Sequence, residues 1–509
     1  MTAYNNFKEH IARINDLCCV INLLNWDSRT QMPPGGTVTR PFQLGTLSDT
    51  AQNLFVSDQT IQLINAAKTE MDAAGVHPDT CQYRSVLQAE EAYNLSRRVP
   101  SKVVSELARL KPVAESVWVQ ARKDNDFKSF APYLETIVEL CRNTAESIGY
   151  SDHPYDALLL RYEPGMTSAK LKQLFADLKQ GIVPIMEKAA RSQQVTPEFL
   201  KRQYPVEKQA EFAMSIAQQF GYDLSRGRLD VTTHPFEISF TRQDVRISTR
   251  YDAHYLPMAL FGILHESGHA LYEQGVDPRL TRTVHTTDLL DLYATGGASY
   301  AVHESQSRLW ENMIARSRPF WKHHFPQLQA VFPGQLGDTD AEGFYRSVNR
   351  IHPSLIRVEA DEVSYNFHIM MRVEIEMGLI SGEIKVRELP DIWNAKMQEY
   401  LGITPPNDSL GVLQDIHWSG GQIGTFANYT IGNMMGAQYF QAAHAQVPGL
   451  AASLARGEYA PLLNWLTENI YRHGRAYSPG ELLLNATGQE LSAAPFIAYL
   501  NNKYGELYP

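Results

Sequence analysis

The chain has 509 residues, of which 44% are hydrophobic and 20% charged, and its formal net charge is −10. This composition is typical of a globular enzyme, and an acidic balance without a block of Lys and Arg argues against a nucleic-acid partner. Four cysteines are too few for a disulfide framework in a chain of this length, and the absence of a Cys-x-x-Cys pair argues against a thiolate zinc site.

The first residues of the chain do not resemble a signal peptide, because Lys8, Glu9, Arg13 and Asp16 interrupt them. No stretch approaches the roughly 18 uninterrupted apolar residues that a membrane span needs. We therefore expect no membrane association and, by default, a cytoplasmic location.

Helical periodicity dominates the sequence and predicts a mainly α protein. Apolar residues recur at three- and four-residue spacing over residues 7–24, 102–122, 131–148, 168–192, 207–219 and 362–377. Thr167 is the expected N-cap of the fourth segment. Because no repeat and no long flexible linker interrupts the pattern, we expect one large helical domain over residues 1–509, with a deep active-site cleft.

One segment has the alternation of a β-strand rather than the period of a helix. Residues 236–240 and 245–249 both alternate, and a short polar connection separates them. This pattern predicts a small β-hairpin just before the segment that carries His265.

A His-Glu-x-x-His motif at His265, Glu266 and His269 is the strongest chemical signal. It lies in a segment that Pro257 can open and Gly275 can close as a helix. Two histidines four residues apart share one helical face and can bind one zinc ion. Glu266 lies about 100° around the helix, where it can act as general base on a water that the metal activates.

The site needs a third ligand, and a fourth position stays open for water. The residues after His269 exclude the metzincin continuation, so a glutamate from a later helix is the common alternative. Glu304 is the best candidate, since it follows a Gly-Gly break and starts an amphipathic helix. By spacing alone, Asp288, Asp291 and Glu311 remain rivals.

Further motifs recur along nearly the whole chain. They occupy residues 25–27, 32–36, 155–158, 162–167, 233–236, 244–246, 303–306, 356–361 and 411–418. Together with the zinc motif they make the chain resemble the carboxypeptidase Taq family of metallocarboxypeptidases. The resemblance implies a mostly helical, gluzincin-like fold, usually a homodimer, that removes single C-terminal amino acids from peptides with broad specificity. It also implies that Glu304 is the third zinc ligand; cobalt or manganese could substitute for zinc.

The resemblance also assigns residues to the substrate. Arg357 and His417 match positions that hold the C-terminal carboxylate, and a guanidinium offers two parallel donors suited to that task. Arg246 belongs to an element that closes one end of the cleft. Tyr429 matches a tyrosine near the scissile carbonyl, where a phenol can donate to the developing oxyanion. His303 is expected to orient a ligand or the substrate.

Each of these residues also has a purely structural interpretation. Arg357 could form an ion pair with Glu359 or Asp361, and His417 could be a core histidine beside its neighbouring tryptophan. Tyr429 could be a core aromatic, and His303 could make a structural hydrogen bond.

The chain departs from the family pattern at a few places. Thr425 and Ala427 replace an aromatic residue and a proline, which puts the shape of the substrate pocket in doubt. Residues 279–291, which include His285, form a longer segment than usual and are expected to be a loop over the cleft or a dimer contact. Two other functions remain open: an endopeptidase or dipeptide-releasing peptidase on the same scaffold, and a catalytically silent peptide-binding protein.

Overall fold

The computed structural model describes residues 2–192 and 197–509. The mainly helical class predicted from the periodicity is confirmed. The α-helices of the described residues are α1 (Thr2–Thr30), α2 (Arg40–Phe55), α3 (Asp58–Ala73), α4 (Cys81–Arg98), α5 (Ser101–Asp124), α6 (Phe127–Ile148), α7 (Pro154–Tyr162), α8 (Ser168–Arg191), α9 (Val206–Phe220), α10 (Leu256–Gly275), α11 (Tyr300–Arg308), α12 (Arg318–Val331), α13 (Pro333–Leu336), α14 (Ala341–Val348), α15 (Tyr365–Ser381), α16 (Leu389–Leu401), α17 (Ala427–Gln446), α18 (Leu450–Ala455), α19 (Ala460–Asn469), α20 (Pro479–Thr487) and α21 (Ala494–Leu507). Among these residues no helix combines the length and the apolar character that a membrane span requires.

The chain divides into two compact units, and each unit gathers three separate segments. Unit 1 contains residues 2–97, 197–348 and 438–490, and unit 2 contains residues 98–192, 349–437 and 491–509. The expectation of a single domain stays a prediction.

Unit 1 contains a three-stranded sheet in the order β1 (Gly227–Val231), β3 (Asp244–Thr249), β2 (Glu237–Thr241). The antiparallel pair of β2 and β3 confirms the predicted hairpin. Strand β1 was not predicted; it pairs parallel to β3, so that β3 becomes the central strand. Helix α10 packs against β2 and β3, which fixes the metal-motif helix on the sheet.

The longer segment at residues 279–291 packs into the core of unit 1. Val284 and Leu289 are buried in the apolar cluster formed with helices α1 to α4. His285 is 1% exposed; its Nε2 atom lies 2.9 Å from the Cys81 carbonyl oxygen, and its Nδ1 atom lies 3.1 Å from Gln88 Oε1. A short two-stranded sheet follows, with β4 (Thr287–Asp288) antiparallel to β5 (Tyr293–Ala294). Much of this segment is therefore buried structure rather than an open loop.

Unit 2 is organised around α15, a helix that is almost wholly buried. Its polar residues His368, Arg372 and Glu376 follow one another at four-residue spacing and so share one face. Buried polar groups need partners, and this face accordingly bonds to three other stretches of unit 2, at Ser354, at Asp415 and at Tyr155. Asp361 accepts hydrogen bonds from two backbone amides just before the helix, and α15 begins at Tyr365 rather than at the predicted residue 362.

Candidate metal centre

Helix α10 carries three of the predicted metal-site residues. Pro257 lies in its first turn and Gly275 is its last residue, in agreement with the prediction. His265 and His269 lie one turn apart, and the centroids of their rings are 5.0 Å apart. The exposed fraction is 18% for the His265 side chain and 14% for the His269 side chain, so neither is a freely solvated surface histidine.

Glu304 reaches these histidines from α11. The side chain of Ser299 caps that helix by accepting a hydrogen bond from the Val302 amide. The backbones of α10 and α11 touch at Gly268, where a Cβ atom would lie 2.6 Å from the carbonyl oxygen of Gln306. A glycine is therefore required at this crossing, and the close approach brings the Glu304 carboxylate to the imidazoles.

His265, His269 and Glu304 form the one group of potential metal ligands found in the part of the chain that the structure describes. One donor atom from each residue lies within 4.8 Å of the others. Glu304 Oε2 is 3.3 Å from His269 Nε2 and 3.7 Å from His265 Nε2. The three donor atoms therefore converge on one point.

The charge states of these residues also suit a metal ion. Burial lowers the pKa of His269 to about 3, so that its imidazole is neutral and offers a lone pair. Burial alone would raise the pKa of Glu304, but Arg308 and His265 outweigh it and hold that pKa well below its usual range. Burial alone would lower the pKa of His265, but Glu304 and Glu311 outweigh it and raise that pKa, so the imidazole must release its second proton when a metal binds. Two imidazoles and one carboxylate are the ligands of the catalytic His₂Glu zinc site, so the residues fit a zinc ion.

Glu311 forms a second layer behind His265. Its Oε2 atom is 3.0 Å from His265 Nδ1, which therefore donates its proton away from the metal and leaves Nε2 to bind. Glu311 lies in a π-helix over Leu309–Ala315 that continues α11, a local irregularity frequent at functional sites. Arg316 holds its other oxygen at 3.0 Å. Glu311, which the spacing made a rival third ligand, thus contacts the Nδ1 atom of His265.

His303 forms the corresponding layer behind His269. The two Nδ1 atoms are 2.5 Å apart, and His303 Nε2 is 2.9 Å from Glu273 Oε1. Glu273 also accepts hydrogen bonds from the Gly296 and Gly297 amides, and as an acceptor it fixes the proton of His303 on Nε2. His303 Nδ1 then accepts from His269, whose Nε2 is left for the metal. The structure thus places His303 against a ligand, one of the two roles that the sequence predicts.

Glu266 lies beside the ligands without joining them. It is 6% exposed, and burial raises its pKa to about 7, while His265 opposes this shift and Glu304 adds to it. A carboxyl group whose pKa lies near neutral pH is suited to exchange protons with a substrate.

Arg246 lies on β3 and is held rigidly. Its Nε and Nη2 atoms donate to the two oxygens of Asp244, each at 2.8 Å. Its guanidinium also stacks on the rings of Trp26 and Phe240, at 4.3 and 4.8 Å from their centroids. An arginine fixed in this way can mark one edge of a binding surface in unit 1.

Unit 2 brings three other predicted residues together. His417 Nε2 is 3.1 Å from the Tyr429 hydroxyl, and the guanidinium carbon of Arg357 is 5.1 Å from the centroid of the Tyr429 ring. Arg357 forms an ion pair with Asp415, at 2.9 Å, instead of with the neighbouring acids that the sequence suggested. The Nδ1 atom of His417 is buried and has no hydrogen-bond partner among the described residues.

The model of the carboxypeptidase Taq (M32) metallopeptidase family matches residues 6–504. The chain belongs to this family. It is 40% identical to carboxypeptidase 1 of Bacillus subtilis and 40% identical to thermostable carboxypeptidase 1 of Thermus thermophilus, and each match covers at least 99% of both chains. The crystal structure of the M32 carboxypeptidase from Deinococcus radiodurans R1 matches with a TM-score of 0.94 at 39% identity over 100% of both chains. Trypanosoma cruzi metallocarboxypeptidase 1 matches with a TM-score of 0.91 at 31% identity over 99% of both chains.

M32 membership confirms the resemblance and makes the chain a metallocarboxypeptidase, a peptide hydrolase that depends on a metal ion. It does not favour the endopeptidase or the silent binding protein considered from the sequence. The two departures from the family pattern, Thr425 and Ala427, are both buried in unit 2.

Several residues of the site were not given a role from the sequence. Glu273 lies one helical turn after His269, and this spacing is the signal that could have identified it. Asp415 lies in a motif that was recognised, but nothing in the sequence links it to Arg357. Arg372 gave no signal, since a lone arginine on an apolar helix has no motif.

Proposed function

We propose that this M32 enzyme is a zinc carboxypeptidase that removes single C-terminal amino acids from peptides with broad specificity. The observation that carries the proposal is the convergence of His265, His269 and Glu304 beside the buried carboxyl of Glu266. Zinc is proposed because two imidazoles and one carboxylate are its usual catalytic ligands; cobalt or manganese could occupy the same set.

The chemistry divides between the metal and the chain. A bound zinc ion polarises a carbonyl group and lowers the pKa of water. Glu266 takes a proton from the attacking water and then passes it to the leaving amine, so one carboxyl group serves as base and then as acid. Glu311 and His303 hold the histidine rings in the orientation that binding requires. We assign to Tyr429 a hydrogen bond to the developing oxyanion.

Recognition of the peptide end is proposed for Arg357 and His417. A guanidinium can donate two parallel hydrogen bonds to a carboxylate. His417 adds a buried nitrogen that has no hydrogen-bond partner among the described residues. Arg246 is proposed to limit the binding surface, so that only a terminal residue is released. A homodimer and a cytoplasmic location are proposed from the family resemblance and from the sequence.

The test is a digestion of an N-terminally blocked peptide by zinc-loaded protein, followed by mass spectrometry. Glu266→Gln is compared with Glu211→Gln, which changes an exposed glutamate on α9. We expect stepwise loss of single C-terminal residues, a rate about 10²- to 10⁴-fold lower in Glu266→Gln, and an unchanged rate in the control. Both variants should retain bound zinc.

Other products would contradict specific parts of the proposal. Internal cleavage or release of dipeptides would refute the role of Arg246 and leave the metal chemistry standing. The absence of products from zinc- and cobalt-loaded protein would refute the proposed catalytic function itself.

A further inference from the structure

Arg372 is a fully buried arginine that shares one carboxylate with Arg357. None of its side chain is exposed, and its Nε and Nη2 atoms both lie 2.7 Å from Asp415 Oδ2. Arg357 binds the other oxygen of the same carboxylate, with Nε and Nη2 at 3.0 and 2.9 Å from Oδ1. Asp415 is therefore a bridge between two guanidinium groups in the interior of unit 2.

These three side chains carry an unbalanced charge. Two guanidinium groups face one carboxylate, which leaves one net positive charge in a buried position. The two nearby histidines do not alter this count. Burial, together with Arg372 and Arg357, holds the pKa of His368 well below its usual range, and burial lowers the pKa of His417 to about 3. Both imidazoles are therefore neutral.

Glu376 is an acidic residue on the same face of α15 as Arg372, one turn further along the helix. Its carboxyl accepts hydrogen bonds from Tyr155, from Trp418 and from the Gly424 amide, at 2.7, 2.8 and 3.0 Å. Burial raises its pKa to about 7, so that a substantial fraction is protonated near neutral pH. Glu376 is occupied with neutral donors and does not fully cancel the charge beside Asp415.

A buried net charge is costly unless a counter-ion accompanies it. Without Arg372, Asp415 would neutralise Arg357, and the pair would have little attraction for an anion. With Arg372 present, Asp415 is already neutralised from its other side, and the positive charge of Arg357 is left for an incoming group.

We propose that Arg372 is a positioning residue that keeps Arg357 available for the C-terminal carboxylate of the peptide by neutralising Asp415. This inference rests on the proposed role of Arg357 in carboxylate recognition. Arg372 itself does not touch the substrate; its Nη1 atom donates to the His368 carbonyl oxygen at 2.8 Å, which anchors it within its own helix. It acts through the charge of Asp415.

A purely structural role makes a different prediction. If Arg372 only ties α15 to the segment of Asp415, removing either residue of the bridge should weaken recognition of the carboxylate. Removing both residues should weaken it further. If charge is decisive, a second change that restores the net charge should restore recognition. Comparison of Arg372→Met with the double variant Arg372→Met/Asp415→Asn separates these cases. In the single variant, the side chains at positions 357, 372 and 415 carry no net charge together; in the double variant, they again carry one positive charge.

The measurements are kcat and KM for an N-blocked peptide, and the inhibition constants of N-acetyl-leucine and of its uncharged amide. In Arg372→Met we expect KM to rise and the preference for the acid over the amide to fall, each roughly 10- to 100-fold, with a smaller change in kcat. Arg372→Lys should keep most of the preference, because it keeps the charge. The double variant should recover at least a third of the lost preference. Zinc content, measured in every variant, reports on the metal centre in unit 1.

Two results would overturn the inference. One is an unchanged preference for the acid in Arg372→Met; the other is a double variant no better than the single one. If Arg372→Met does not fold, Asp415→Asn decides the matter, since it leaves two positive charges and should keep or raise the preference; a loss would show that Asp415 acts by aligning Arg357. Arg357→Met tests the underlying function separately, because a preference that survives this change would refute the carboxylate site itself.

Discussion

Replacing Glu311 by glutamine should weaken metal binding, although Glu311 is not among the converging metal ligands. In the native protein, one oxygen of Glu311 accepts the Nδ1 proton of His265 and the other is held by Arg316, each at 3.0 Å. Glutamine has nearly the same size but only one acceptor oxygen. Its oxygen can therefore accept a hydrogen bond from His265 or from Arg316, but not from both. Its NH₂ group would then face the other donor.

The magnitude follows from the position of this carboxylate behind a ligand. Loss of a hydrogen-bond partner of a metal-bound histidine reduces metal affinity about 10- to 100-fold, or about 1.4 to 2.8 kcal/mol. The negative charge of Glu311 also makes His265 more basic, and glutamine removes that contribution. We expect a larger effect on zinc affinity than on peptide KM, because the substrate does not contact Glu311 in the proposed function.

The assay is competition for zinc against a chelator of known affinity, with Glu342→Gln as a matched control. Glu342 also bridges two arginines, Arg318 and Arg346, at 3.0 and 2.9 Å, but it is not paired with a ligand histidine. Zinc affinity in the control should stay within about twofold of the native value. An affinity in Glu311→Gln that equals that of the control would refute the reasoning, because it would show that orientation of His265 does not limit binding.

The other predictions concern packing and pH. Gly268→Ala would place a Cβ 2.6 Å from the backbone of α11, and we expect a loss of about 1–3 kcal/mol in the free energy of unfolding and weaker zinc binding. At Gly334 an added Cβ would meet no atom within 4 Å, so Gly334→Ala should leave the stability and the zinc binding unchanged. Equal unfolding midpoints of the two variants would contradict this difference. Burial raises the pKa of Glu376 to about 7, above its value in the unfolded chain. The contribution of Glu376 to the free energy of unfolding is therefore complete below about pH 4.5 and is lost as the pH rises through 7. The native protein should therefore lose up to about 3 kcal/mol more stability than Glu376→Gln between pH 5 and pH 8, measured by denaturant unfolding, and parallel pH profiles would disprove the shift.

Local spacing was enough to predict the elements whose geometry is local. His265 and His269 meet because four residues make about one helical turn, whatever the rest of the chain does. Thr167 caps α8 by accepting from the Lys170 amide, as the sequence predicts. The strand alternation likewise predicts the pairing of β2 with β3, since a short connection leaves few other arrangements.

Partners that are distant in the sequence could not be predicted in the same way. Glu304, Glu311 and two aspartates were all plausible third ligands by spacing, and only the contact of α10 with α11 at Gly268 selects the carboxylate that converges with the histidines. Strand β1 joins the sheet in parallel to β3, a pairing that neither segment encodes by itself.

What the sequence determined by itself is the chemistry of this protein: a metal-binding motif on a helix, a hairpin beside it and a set of motifs that identify the M32 family. The tertiary structure decided which charged groups share a site. Arg357 pairs with Asp415, 58 positions along the chain, rather than with its acidic neighbours, and Arg372 completes the bridge from a buried helix face. The physical reason is that helix and strand periods act over a few residues, whereas the balance of buried charges depends on which segments the folded chain brings together.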